Sequence, residues 1–292
     1  MGRFLLCCLL STTLEAVFPA ALPAAELAIV VEAPAVLETT AERIRSLDPQ
    51  PLAEALAAAG LDPPSEVHVT LIAEDDPRAE ATPAWIVGLA SGSRRVAIFP
   101  ARIGSYPYGS LEAVMWHEIV HLALNARADG RRLPRWFHEG VAVTVEGGWD
   151  LTSQLRLVLA AGGDPALGDL NGLFGSDNHP ETSRAYLLAA ALMADVRRRH
   201  GPAIPGAIAG RVGAGAPFAD AFRLETGEAP EQAAARTWQA YRRWTSWIPV
   251  AASGSTLWSG ILVLAVVAFL VRLQRRARRR RQWDEDEDLS DV

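Results

Sequence analysis

Polar and apolar residues alternate through positions 67–72 (VHVTLI), with His68 and Thr70 on one side and the aliphatic residues on the other. That period of two predicts a half-buried strand. The run 27–32 (LAIVVE) is a second short segment rich in β-formers. Segments 85–90 and 95–99 face each other across an SGS turn and predict a hairpin. Between the first two strands, positions 36–59 follow a helical period interrupted at Pro49 and Pro51.

After position 110 the pattern changes to that of buried helices. Leu111, Val114, Met115, Ile119, Val120, Leu122 and Leu124 make a largely apolar segment, with Ser110 placed as its N-cap and Glu112 in its first turn. Pro134 predicts the start of a second helix. Stretch 162–178 is Gly-rich and shows no period, and further helices are expected around 183–200, 204–212, 218–225 and 230–247. No internal repeat is present. Strands first and helices after is an α+β order: a small N-terminal mixed β-sheet followed by a helical core.

Half of the chain is hydrophobic, 21% is charged and the formal net charge is −6. This is the balance of a globular protein with an added apolar segment, and it argues against nucleic acid as a partner. Residues 1–25 read as a secretory signal: Arg3 is a basic start, 4–10 are apolar, and a Pro/Ala run predicts cleavage between 20 and 25. Cys7 and Cys8 are the two cysteines of the chain and both fall inside that leader, so no disulfide is expected in the mature domain. Positions 249–271 carry no charge and are followed at once by seven arginines between 272 and 281. The stretch is long enough to span a bilayer, and the arginines predict a domain outside the cytoplasmic membrane with the tail within. Trp244, Trp247 and Trp258 suit the outer interface, and the acidic run at the C-terminus reads as a solvated tail. The expected division is therefore 1–25 signal, 26–247 domain, 248–271 transmembrane helix and 272–292 cytoplasmic tail.

The chemistry concentrates in MWHEIVHLALNA, where His117 and His121 stand four apart with Glu118 between them. On a helix, residues i and i+4 share a face, so the two imidazoles can ligate one ion. Glu118, turned by about 100° per residue, can reach a water on that ion without being a ligand. Downstream, in LPRWFHEGVAVTVEGG, Glu139 follows His121 by eighteen positions, enough for a turn through Asp129 and Gly130 and a returning helix. A His₂Glu set with an open fourth position is the pattern of a catalytic zinc site, whereas closed structural sites are commonly built from cysteines.

The pair HEIVH and WFHEG resembles the gluzincin metallopeptidases, closest to the bacterial peptidase MA-like family and more distantly to the aminopeptidase N and thermolysin families, over about residues 27–246. The resemblance implies one Zn²⁺ held by His117, His121 and Glu139, with Glu118 as general base in peptide hydrolysis. It also implies that Tyr186, at the start of a helix, helps to stabilise the oxyanion, and that strand 95–99 aligns a peptide substrate. The glutamate of the G-x-M-E-N segment, which holds a free amine in the aminopeptidases, has no counterpart in WIVGLASGSRRVAIFP. An endopeptidase acting on peptides or proteins is therefore expected. The alternative is a metallopeptidase-like domain that serves as an inactive binding or envelope-assembly module.

Other polar residues stay open at this level. Glu146 lies two turns after Glu139 on the same face, placed either to orient a zinc histidine or to face solvent as a helix-end carboxylate. His138 points about 100° away from Glu139, and His179 stands before Pro180 in an expected loop. His68 and His200 read as surface or packing histidines.

Overall fold

The computed structural model describes residues 27–104, 109–159, 166–174 and 179–251, together with Leu262, Val266, Phe269 and Arg272. Four strands form one sheet: β1 (Ala28–Glu32), β2 (Glu66–Leu71), β3 (Gly88–Ser91) and β4 (Arg95–Ile98). Their spatial order is β1-β2-β4-β3, parallel except for the antiparallel β3–β4 hairpin. The parallel β1–β2 pair needs a crossover, and helices α1 (Glu38–Arg45) and α2 (Gln50–Ala58) supply it. The break at Pro49 and Pro51 is thus where one helix ends and the next begins. A single turn, α3 (Pro77–Glu80), follows β2 and is capped by the Asp76 carboxylate.

Alternation in β2 sends Val67, Val69 and Leu71 into the core, and Val96 and Ile98 of β4 join them. That face packs on α4 (Leu111–Arg127), which touches both β3 and β4. The helix starts where the capping chemistry predicts: the Ser110 hydroxyl accepts a hydrogen bond from the Ala113 N–H at 3.1 Å. Asp129 (φ 52°) and Gly130 (φ 68°) both occupy the left-handed region and reverse the chain into α5 (Arg135–Val145).

Beyond α5 come α6 (Leu151–Leu159), α7 (Leu170–Leu173), α8 (His179–His200), α9 (Ile204–Gly213), α10 (Phe218–Thr226) and α11 (Pro230–Ala251). The helix α6 has no counterpart in the sequence-based expectation, and α7 with the 3₁₀ turn Leu167–Asp169 lies in the stretch that showed no period. Most buried apolar side chains from sheet and helices form one continuous core, the behaviour of a single domain.

Helices α5 and α8 make the most extensive helix–helix contact, and Gly140 permits it. A Cβ at that position would lie 2.5 Å from the Ala189 carbonyl oxygen and 2.6 Å from Met193 Cγ. Backbone cannot yield as a flexible side chain does, so Gly140→Ala is expected to destabilise the domain by about 1–3 kcal/mol. Denaturant unfolding monitored by circular dichroism checks this; an unchanged midpoint would show that the two helices are looser than this packing.

One expectation about the cleft wall changes with the structure. Strand 95–99 does not border the cleft with a free edge, because β4 is hydrogen-bonded on one side to β2 and on the other to β3. The sheet edge that borders the cleft belongs to β3. Among the described residues no helix is long and apolar enough to cross a membrane. The predicted signal 1–25 lies outside the described residues, as do most of the predicted span 248–271 and all of the tail 272–292 except Arg272.

Candidate metal centre

The first two donors follow from helix geometry. Nearly every residue of α4 between Leu111 and Leu124 is buried, so the helix crosses the domain interior and carries His117 and Glu118 with it. His117 is fully buried and His121, one turn on, is partly exposed. The reversal at Asp129 and Gly130 brings α5 back alongside, placing Glu139 Oε2 3.1 Å from His117 Nε2 and 3.5 Å from His121 Nε2. One donor atom from each of the three residues falls within 4.8 Å of the others, a group able to hold a metal ion. Edges of 3.1 and 3.5 Å bracket the separation of about 3.3 Å expected between ligands in a tetrahedral site with arms of about 2.0–2.1 Å.

Two of the three donors are oriented from behind. Glu146 Oε2 lies 3.0 Å from His117 Nδ1, and its side chain is only 3% exposed. The solvated alternative for Glu146 is thereby removed. With Nδ1–H donating to that carboxylate, the lone pair of His117 sits on Nε2, the atom that faces Glu139. Arg135 Nε donates to Glu139 Oε1 at 3.3 Å, leaving Oε2 toward the histidines. His121 Nδ1 is buried and has no hydrogen-bond partner among the described residues.

The charges are mutually dependent. Burial favours neutral His117, but Glu146 and Glu139 on either side outweigh it and raise its pKa well above the usual histidine value. Burial likewise opposes ionisation of Glu139, and His117 with His121 outweigh that, holding it well below the ordinary carboxylate range. Two carboxylates flanking one imidazole thus make a pocket of negative potential, the complement of a bound cation.

Glu118 has turned away from the donor group, as its position on the helix requires. It is 3% exposed and accepts a hydrogen bond from the Ala90 N–H of β3. Burial raises its pKa above the normal value, against the opposing pull of His121 and His117. Gly88 matters here because a Cβ on it would meet Glu118 Oε1 at 2.7 Å and Cγ at 2.9 Å. The edge strand and the carboxylate therefore fit against each other with no room to spare.

A cleft of about 400 Å³ opens over these groups, with β3 as one wall and His121, Glu118, Glu139, His138 and Tyr186 on the others. Tyr186 is buried, its ring 6.3 Å from His117, but it stands two turns into α8 rather than at the start of that helix. His138 borders the same cleft, 5.4 Å from His121 between ring centroids, and burial followed by the neighbouring His121 pushes its pKa down to about 4. His179 opens α8, with its side chain outside the described residues. His68, 2.5 Å from Glu66, and His200 at the end of α8 take no part in the cleft. Arg135 and the Gly88–Ala90 wall were not anticipated. Arg135 was legible in principle, since it stands four residues before Glu139 on one helix face.

No family model matches the chain, and neither a curated protein nor a solved structure matches it.

Proposed function

We infer that the domain is a zinc-dependent endopeptidase held at the outer face of a membrane. The observation that carries the reading is the convergence of His117, His121 and Glu139 on one point at the floor of a cleft, with a buried carboxylate that is not among those donors beside them. Two imidazoles and one carboxylate suit zinc, and among the described residues the donor set includes no fourth protein ligand, which fits a catalytic rather than a structural site. When bound, zinc supplies Lewis acidity that polarises a carbonyl and acidifies water.

The chain's own residues divide the remaining work. Glu118 takes a proton from the attacking water; its raised pKa makes it a stronger base than an exposed glutamate and lets it return that proton to the leaving amine. Glu146 and Arg135 fix the orientation of His117 and Glu139. Tyr186 is positioned on the cleft wall to donate a hydrogen bond to the developing oxyanion. The free edge of β3 offers backbone groups to an extended peptide, which would lie across Glu118 as an added strand. No nucleophilic side chain is needed, so no covalent intermediate forms.

An inactive binding module is the second reading. Burial of Glu118 against Gly88 and Ala90, at a thermodynamic cost to its ionised form, favours the enzyme, because a purely binding cleft has no use for such a base.

Among the described residues the cleft walls include no acidic residue besides Glu118 and Glu139, so none of these walls offers a separate carboxylate to grip a free amine. An internally quenched peptide should accordingly be cut at the same rate with and without an acetylated N-terminus. Loss of cleavage on acetylation would replace this reading with an exopeptidase, and absence of cleavage across a peptide library by the zinc-loaded chain would favour the binding module.

A further inference from the structure

Helices α8 and α11 pack against each other. Asp195 of α8 meets Arg236 at 2.9 Å and Thr237 at 3.5 Å on α11, and one turn further along both helices Arg198 and Tyr241 line a common groove. By the pairing of Asp195 with Arg236 and Thr237, the last residue of α8, His200, stands level with Tyr241 and Arg242. Only α11 continues past this point, to Ala251. The uncharged stretch that starts at position 249 therefore begins about 11 Å beyond the end of α8. The headgroup layer of a bilayer leaflet is about 5–8 Å thick, and an arginine side chain can bridge the remainder.

This end of the domain is strongly basic. Arg197, Arg198, Arg199 and His200 close α8, Arg242 and Arg243 lie on α11, and Asp195 is the lone carboxylate in 195–200 and 236–247. It is shared by Arg198, Arg199 and Arg236, and Arg236 also pairs with Glu228 just before α11, so two carboxylates meet three arginines there. Arg197 alone turns inward, to the Thr144 carbonyl at 2.7 Å. Next to the arginines lies an apolar groove of about 680 Å³ lined by Trp149, Leu151, Leu155 and Tyr241. Leu151 and Leu155, one turn apart on α6, are 71% and 54% exposed.

We propose that this face is a docking surface for anionic phospholipids of the leaflet from which the domain emerges. The arginines at the ends of α8 and α11 take the headgroup phosphates, and the α6 leucines and the groove meet the glycerol and upper acyl region. A tether alone would let the domain swing; this contact fixes its tilt on the bilayer. The proposal rests on the reading of 249–271 as a membrane span and is independent of the chemistry in the cleft.

The test uses the full chain with Cys7 and Cys8 replaced by serine and Leu155→Cys labelled with an environment-sensitive fluorophore, placed in lipid nanodiscs of phosphatidylcholine with or without phosphatidylglycerol. With the anionic lipid present, the emission should shift to the blue and be quenched by a spin label on the lipid headgroup. Both effects should largely disappear in neutral discs and in the Arg198→Gln, Arg199→Gln, Arg242→Gln, Arg243→Gln variant, whose circular dichroism should be unchanged. Equal emission in the two lipid mixtures, without quenching, overturns the proposal. A blue shift that depends on protein concentration and not on lipid assigns the face to a second copy of the chain and also overturns it. Failure of the chain to enter the discs removes the span itself and the proposal with it.

Discussion

Replacing Glu118 by glutamine is expected to lower peptide hydrolysis by about 10²–10⁴-fold while leaving the metal content of the protein unchanged. The carboxylate does not belong to the donor group and sits beside it, held by the Ala90 N–H and wedged against Gly88. Glutamine has the same shape and can keep the bond from Ala90, so the fold and the donors should survive. What it lacks is a site that can accept and return a proton at neutral pH. Steady-state kinetics and metal analysis on the same preparation decide the matter. A variant that retains activity shows the proton is taken elsewhere; one that loses its metal shows Glu118 to be a ligand.

Removing Glu146 should weaken metal binding by about 10–100-fold without touching any donor atom. Its carboxylate meets the buried Nδ1 of His117 at 3.0 Å and fixes both the ring and its tautomer. Glu146→Ala removes that bond and leaves Nδ1 without its carboxylate partner, whereas Glu146→Gln can still accept it through the amide oxygen and loses only the charge. The expected order of affinity in competition with a chelator is wild type, then glutamine, then alanine, with thermal unfolding of the metal-free forms as a control for the fold. Equal affinities across the three would reduce Glu146 to a packing residue.

How much of this was legible in the sequence depends on whether the interaction was local. The helix carrying His117, Glu118 and His121, its Ser110 cap and the return through Asp129 and Gly130 all rest on contacts within a few residues, and each was readable from spacing alone. The alternation of 67–72 likewise showed which side of β2 is buried. The order of strands was not readable, because parallel pairing of β4 with β2 is set by distant residues and leaves no periodic trace. For that reason the wall of the cleft was expected at 95–99 and lies instead at Gly88–Ser91. Glu146 was visible either as a residue that orients a zinc histidine or as a solvated carboxylate, and the choice was not readable because its burial depends on how α5 and α4 cross. The helix α6 was not anticipated, although Leu151, Leu155, Val158 and Leu159 stand at helical spacing.

The three donors are tested most directly by one measurement: the zinc content of the purified chain and of its His121→Ala variant, determined by elemental analysis after dialysis against a weak chelator. His121 contributes Nε2 to the group and no part of the apolar core, so its loss should empty the site without unfolding the domain. One zinc per wild-type chain and little or none in the variant is the predicted result. Full zinc occupancy in His121→Ala, or none in the wild type, would contradict it.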